Sequence, residues 1–344
     1  MPTLHVILPG DIDDPASPSG GNGYDRRICA GLTAAGWSVR EHAVAGDWPR
    51  SSPAAQAALA QVLAGTPDGA LVLVDGLVGS VVPDVLAAHC GRLRLVALVH
   101  LPRDDETEAR ALATVTAVVA TSAWTRDALL RRYPLPVERV HVAPPGVDPA
   151  SPVPGSATGS ALLCVAAVAR HKGHDVLVEA LTMVADRHWT LTCVGPLHRE
   201  PEFVDGLRAR ITAARLADRI RLTGPLAGDR LAAAYAATDL LVHPSRGETY
   251  GMVVTEALAR GVPVLATAVG GLPDALGRTA AGDRPGLLVP PDDPAALAAA
   301  LRRWLDDAAL REHLRHAAVQ RRDTLADWSS TVAQITTALK EASA

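Results

Sequence analysis

The sequence predicts an α/β protein made of two domains, each with a parallel, doubly wound sheet. Three observations carry that expectation. Short apolar runs alternate with Ala- and Leu-rich helix-compatible stretches along nearly the whole chain, the mark of strands joined by crossover helices. The length of 344 residues exceeds what one hydrophobic core usually supports. A polar, Pro/Gly-rich stretch without periodicity, Ser151–Ser160, interrupts the alternation near the middle and reads as a linker.

In chain order, the first half offers strands at Leu4–Leu8, Leu71–Val74, Leu95–Val99 and Ala117–Ala120. After the first of them, the loop Pro18–Asp25 precedes a helix expected over Arg26–Ala35. The glycines of that loop invite a dinucleotide-binding reading, but the pattern fails. A small residue is needed for close helix–strand packing where Arg26 stands. The second half offers strands at Leu162–Val165, Leu191–Val194, Ile220–Leu222, Leu240–Val242, Val264–Ala266 and Leu287–Val289. Lys172-Gly173 opens a helix over His174–Leu181, and Trp328–Leu339 has amphipathic helical spacing. The expected division is residues 1–155, 156–322 and a C-terminal helical segment, 323–344.

A formal charge of −4, with arginines scattered, excludes a general nucleic-acid footprint, which needs clustered positive charge. Ala54–Leu63 carries no Lys or Arg, which argues against docking on an anionic membrane. Met1-Pro2-Thr3 leads directly into a strand and no run is long enough to span a bilayer, so a soluble cytoplasmic protein is expected. Cys29, Cys90, Cys164 and Cys193 have no metal-binding or redox spacing and read as core residues. The carboxylates after Arg103, Asp104-Asp105-Glu106, read as a solvated loop, so no metal is expected.

The densest chemistry lies in Ser245–Glu256. A strand closed by Pro244 leads through glycines into a helix opened by Gly251, with Glu248 and Glu256 eight positions apart. The unpaired N–H groups of Met252 and Val253 at such a helix start suit a diphosphate. Two glutamates on the same ligand would instead accept hydrogen bonds from hydroxyls, which sugars supply. His100 stands at the C-terminal end of a strand, the edge where open α/β sheets bind ligands.

These residues resemble the Glu-x7-Glu motif of the retaining glycosyltransferases of family four. Other matches follow in the family's order: Val142–Asp148, Lys172-Gly173, Gly224-Pro225-Leu226, Tyr235–Asp239, Gly270–Asp274 and Gly286–Pro290. The resemblance implies the GT-B fold: two Rossmann-like domains facing a cleft, the C-terminal one holding a nucleotide-sugar donor, with the last helix crossing back to the N-terminal domain. It implies that Glu256 binds the donor ribose, Glu248 the sugar hydroxyls and the Met252 and Val253 amides the phosphates. Thr249, Tyr250 and Gly251 belong to the same grip, and Pro225 and Leu226 lie near the base. Gly20 and Gly21 approach the distal phosphate or sugar, and His100 meets the transferred sugar. Lys172 holds the leaving diphosphate. The family's companion arginine is replaced here by Ala167, and Arg170 is the residue expected to take its place.

The expected activity is metal-independent, front-face, retaining transfer of a hexose from a nucleoside-diphosphate sugar, UDP-sugar favoured over GDP-mannose, to a small soluble acceptor. No cofactor is implied. A GT-B epimerase or phosphorylase, or a non-catalytic sugar-nucleotide-binding protein, would share the architecture.

Overall fold

A computed structural model of the protein describes residues 1–16 and 18–343. The chain forms two compact units. The first comprises Met1–Asp14, Ser19–Gly146 and the stretch from Ala326 onward; the second is Val147–Leu325 with the short Pro15–Pro18 segment.

The first unit contains a six-stranded sheet built from β1 (Thr3–Pro9), β2 (Ser38–Val44), β3 (Leu71–Asp75), β4 (Arg94–Val99), β5 (Ala117–Ala120) and β6 (Val140–Val142). Their order is β2-β1-β3-β4-β5-β6, and every pairing is parallel. Parallel strands covered by helices on both faces bury nearly every residue, which explains why β3, β4 and β5 are continuous apolar runs, whereas the edge strand β2 leaves Arg40 and Glu41 exposed. Along β3, Val72 and Val74 enter one core while Leu71 and Leu73 enter the opposite one, as the two-residue period of a strand requires. The helix Trp328–Ser343 completes the second of these cores with Val332, Ile335, Ala338 and Leu339 against Leu4, Val6 and Ile28. Thr331 Oγ1 ties it to Pro144 O at 2.8 Å.

The second unit repeats the architecture with β7 (Ala161–Val165), β8 (Thr190–Val194), β9 (Ile220–Leu222), β10 (Leu240–His243), β11 (Val264–Thr267) and β12 (Gly286–Val289). The order is β12-β11-β10-β7-β8-β9, again all parallel. Leu240 and Val242 of β10 face one core and Leu241 the other.

Several expectations need correction. Gly20 and Gly21 do not lie in a loop ahead of a helix. They form the first turn of a helix running Gly20–Ala34, because the Ser19 hydroxyl accepts from Asn22 N–H at 3.0 Å and caps it earlier than the arginines suggested. The Pro/Gly stretch 151–160 belongs to the second unit, and the division falls at Gly146–Val147. Val153 N–H donates to Arg260 O at 2.8 Å and Ser156 Oγ to Asp239 at 2.7 Å, which fastens that stretch down. Cys29, Cys164 and Cys193 are buried free thiols, whereas Cys90 is exposed.

Candidate active site

In the second sheet the strand order reverses between β10 and β7, so the loops leaving these neighbours diverge and open a crevice at their carboxyl ends. Lys172 lies in the turn after β7 and Glu248 in the loop after β10. Gly173 lets the two segments touch: it has φ 70° and a Cβ there would stand 2.0 Å from Pro244 O. Gly270, at φ 54°, holds the far side, since a Cβ would fall 1.7 Å from Glu248 O. Gly271 N–H donates to that same carbonyl at 3.0 Å. Arg246 fastens the loop from below with two bonds to Asp175, at 2.9 and 3.0 Å, and one to Asp292 at 2.5 Å.

Within this frame Lys172 Nζ donates to Glu248 Oε2 at 2.6 Å, and His243 Nε2 lies 3.1 Å from the same oxygen. Ser245 Oγ stands 3.3 Å from His243 Nε2. Burial alone pushes the Glu248 carboxyl up, but the His243 hydrogen bond and the Lys172 charge outweigh it and hold it down to about 2. Glu248 is therefore a permanent carboxylate at neutral pH, fixed in position by two partners.

Glu256 sits one turn into the helix Met252–Leu258 and, among the described residues, has no cation on its carboxylate; its partner is the Tyr235 hydroxyl at 2.9 Å. Burial raises its proton affinity, opposed by that hydrogen bond and by Arg260. The Arg260 guanidinium lies 4.5 Å over the Tyr235 ring and donates to Glu256 O at 2.8 Å. Leu226, Tyr250 and Val253 pack against one hydrophobic cluster that includes Tyr235 and Val254, so the segments expected to grip a nucleotide share a common floor. Arg170 is exposed, its guanidinium 5.5 Å over the Phe203 ring; the cation brought to Glu248 is Lys172.

In the first sheet the strand order reverses between β1 and β3. The helix after β1 brings Gly20 and Gly21, β3 ends in Asp75, and β4 runs into His100. A Cβ on Gly21 would lie 3.4 Å from the His100 ring. His100 Nε2 is 2.8 Å from Asp25 Oδ1 and 3.6 Å from Asp75 Oδ2.

Four contributors escaped the sequence reading: His243, Tyr235, Asp25 and Asp75. His243 and Asp75 end strands, so the edge rule that singled out His100 applies to them equally. Tyr235 opened one of the matching segments but had no role assigned to it, and Asp25 carried no such signal; each meets its partner only through the tertiary fold.

Two family models match the chain: Glycosyltransferase Family 4 over residues 78–151 and Glycosyl transferases group 1 over residues 159–307. Between them they span more than half of the sequence, and the chain belongs to glycosyltransferase family four. It is 34% identical over 250 residues to the D-inositol 3-phosphate glycosyltransferase of Pseudarthrobacter chlorophenolicus, covering 67% of this chain and 57% of that one. The counterpart in Catenulispora acidiphila is 33% identical over 265 residues, 70% of this chain and 62% of the relative. The chain thus spans little more than half the length of these curated relatives. Among solved structures, the sucrose-phosphate synthase of Thermosynechococcus elongatus superposes with a TM-score of 0.78 at 23% identity, covering 99% of both chains. Anabaena HepE in complex with UDP and glucose gives 0.77 at 20%, also covering 99% of both. The fold is GT-B.

Proposed function

We propose that this protein is a retaining glycosyltransferase that moves a hexose from a nucleoside-diphosphate sugar, a UDP-sugar in preference to GDP-mannose, to a hydroxyl of a small acceptor. The observation that carries the reading is the pairing of Lys172 with an ionised Glu248 at the topological switch point, with Glu256 held separately by Tyr235. The ammonium has three donors, so Lys172 serves Glu248 and a departing phosphate oxygen together. Glu248 accepts from sugar hydroxyls and Glu256 from ribose hydroxyls, while the Met252 and Val253 amides receive the diphosphate and Pro225 and Leu226 flank the base. Thr249, Tyr250 and Gly251 shape the same loop. Arg170 adds charge at the leaving group by swinging from Phe203. Gly20, Gly21 and His100 serve the sugar and the acceptor.

Catalysis in this reading is orientation and electrostatics, with the departing phosphate oxygen taking the acceptor proton on the same face and no metal taking part. The UDP and glucose of the HepE complex support a UDP-sugar donor. The names of the inositol phosphate relatives and of the sucrose-phosphate synthase support a polyol or sugar phosphate as acceptor. Among the described residues no helix is long and apolar enough to cross a membrane, and the four cysteines are free thiols, which suits a cytoplasmic location.

The test is a thermal-shift panel of UDP, GDP, ADP and their common sugar conjugates, followed by assay of transfer to inositol and sugar phosphates. UDP and a UDP-sugar are expected to raise the melting temperature of the protein but not of Glu256→Ala. No shift with any nucleotide would sink the proposal.

A further inference from the structure

The Asp25, Asp75 and His100 side chains bring their polar atoms within 4.8 Å of one another in the first unit, and two of the three are acids with almost no access to water. The electrostatics of such a group do not close with both acids ionised. Each would meet the other's charge in a low-dielectric site, and His100 is the only neighbour in the cluster able to offset them. Burial pushes the Asp25 carboxyl up to about 7 and the Asp75 carboxyl well up, while it pushes the His100 ring down. The remaining groups nearby bring little relief. Tyr24 stands edge-on to His100 at 5.2 Å and spends its hydroxyl on Ala143 O at 2.8 Å. Arg26 is engaged by Asp13 and Glu41, and burial pushes the Cys29 thiol up to about 12.

Hydrogen-bond accounting locates the missing hydrogen. Asp25 Oδ1 faces His100 Nε2, but Asp25 Oδ2 is buried with no donor among the described residues. Asp75 uses Oδ1 to accept from Leu77 N–H at 2.5 Å, and its Oδ2 stands 3.6 Å from the same His100 Nε2 that Asp25 Oδ1 meets at 2.8 Å, which sets the two carboxyls side by side. A carboxyl–carboxyl hydrogen bond needs a proton on one partner.

We propose that Asp75 and Asp25 share one buried proton, and that Asp25 thereby fixes His100 in the tautomer with its hydrogen on Nε2, leaving Nδ1 bare as an acceptor. Asp25 is then a positioning residue for His100, and Asp75 is the member that supplies the hydrogen. The use of Nδ1 by a ligand hydroxyl rests on the transferase reading above; the tautomer does not, and can be measured with no ligand present.

The experiment is long-range proton–nitrogen NMR of the imidazoles in the 15N-labelled full chain, with His100 assigned by difference from His100→Gln. The expected result is a neutral Nε2–H ring at about pH 8, above the point near 7 to which burial pushes Asp25 and below which it takes up a proton of its own. Asp75→Asn is the decisive variant, because an amide donates permanently and also caps the turn at Leu77 as Asp does. It is expected to keep the tautomer. Asp25→Ala is expected to release the ring to a tautomer mixture. An Nδ1–H or protonated His100 in the unaltered protein, or loss of the tautomer in Asp75→Asn, would overturn the proposal. So would a melting temperature raised by magnesium or manganese and lowered by EDTA in the unaltered protein but not in Asp75→Asn, since a cation would then occupy the place given to the proton. If Asp25→Ala does not fold, the Asp75→Asn comparison still decides.

Discussion

Two carboxylate sites, one in each unit, Glu248 half-buried and Asp25 fully buried, solve a similar electrostatic problem in opposite ways. At Glu248 the protein supplies Lys172 and His243, and the acid is held ionised at about 2. At Asp25 burial outweighs the lowering effects of Asp75 and Arg26, and the carboxyl is driven up to about 7. The contrast teaches that burial by itself does not decide a carboxyl's state. Donors converging on the oxygens can reverse the desolvation penalty, and where they are too few burial prevails. A permanently charged acceptor suits a hydroxyl-rich ligand beside a diphosphate; a proton-holding pair suits the orientation of a neighbouring side chain.

The largest effect that would break this contrast is expected from Lys172→Ala. It removes the cation from both Glu248 and the proposed leaving group and should cost about a hundredfold to a thousandfold in turnover, read by steady-state kinetics. Near-normal turnover would show that the Lys172–Glu248 pair is structural only. Next comes Gly270→Ala, which forces a methyl group into Glu248 O at a left-handed backbone position. It should destabilise the protein by about 3 kcal/mol in urea unfolding.

The pH dependence of stability should then separate the two sites by sign. Glu248, with its proton affinity lowered in the folded state, contributes stability present above its ordinary value and lost as pH falls through about 2. Asp25, raised, contributes stability present below its ordinary value and lost as pH rises through about 7. Denaturation midpoints across this range should show Asp75→Asn with a flatter decline toward neutral pH than the unaltered protein, and Lys172→Ala with an altered acid limb only. The smallest effect is expected from Tyr235→Phe: about 1 kcal/mol from one lost hydrogen bond, seen as a several-fold rise in donor KM with kcat kept.

Most strands were legible because covered sheet faces leave continuous runs such as Leu71–Val74, whereas the edge strands Ser38–Val44 and Val140–Val142, only partly buried, were not read. Glu248 and Glu256 were legible because a strand, glycines and a helix start fall between fixed positions in one short segment. The Gly20 helix start was misread because Arg26 drew attention from the Ser19 cap, a signal of one hydroxyl. The boundary was misplaced because proline and glycine content says nothing of whether a stretch is fastened down, as Ser156 is by Asp239. The Asp25–His100 contact joins residues 75 positions apart, and neither spacing nor composition encodes such a meeting.

The helix Trp328–Ser343 has a consequence for the order of events during synthesis. It fills the core of the first unit with Val332, Ile335, Ala338 and Leu339, yet it is translated after every residue of the second. The segment made earliest therefore waits with an open apolar face, while Val147–Leu325 has all of its strands in hand and can close first. The usual sequence of domain completion is inverted, and during that interval the nascent first sheet is the part of the molecule most dependent on protection from aggregation.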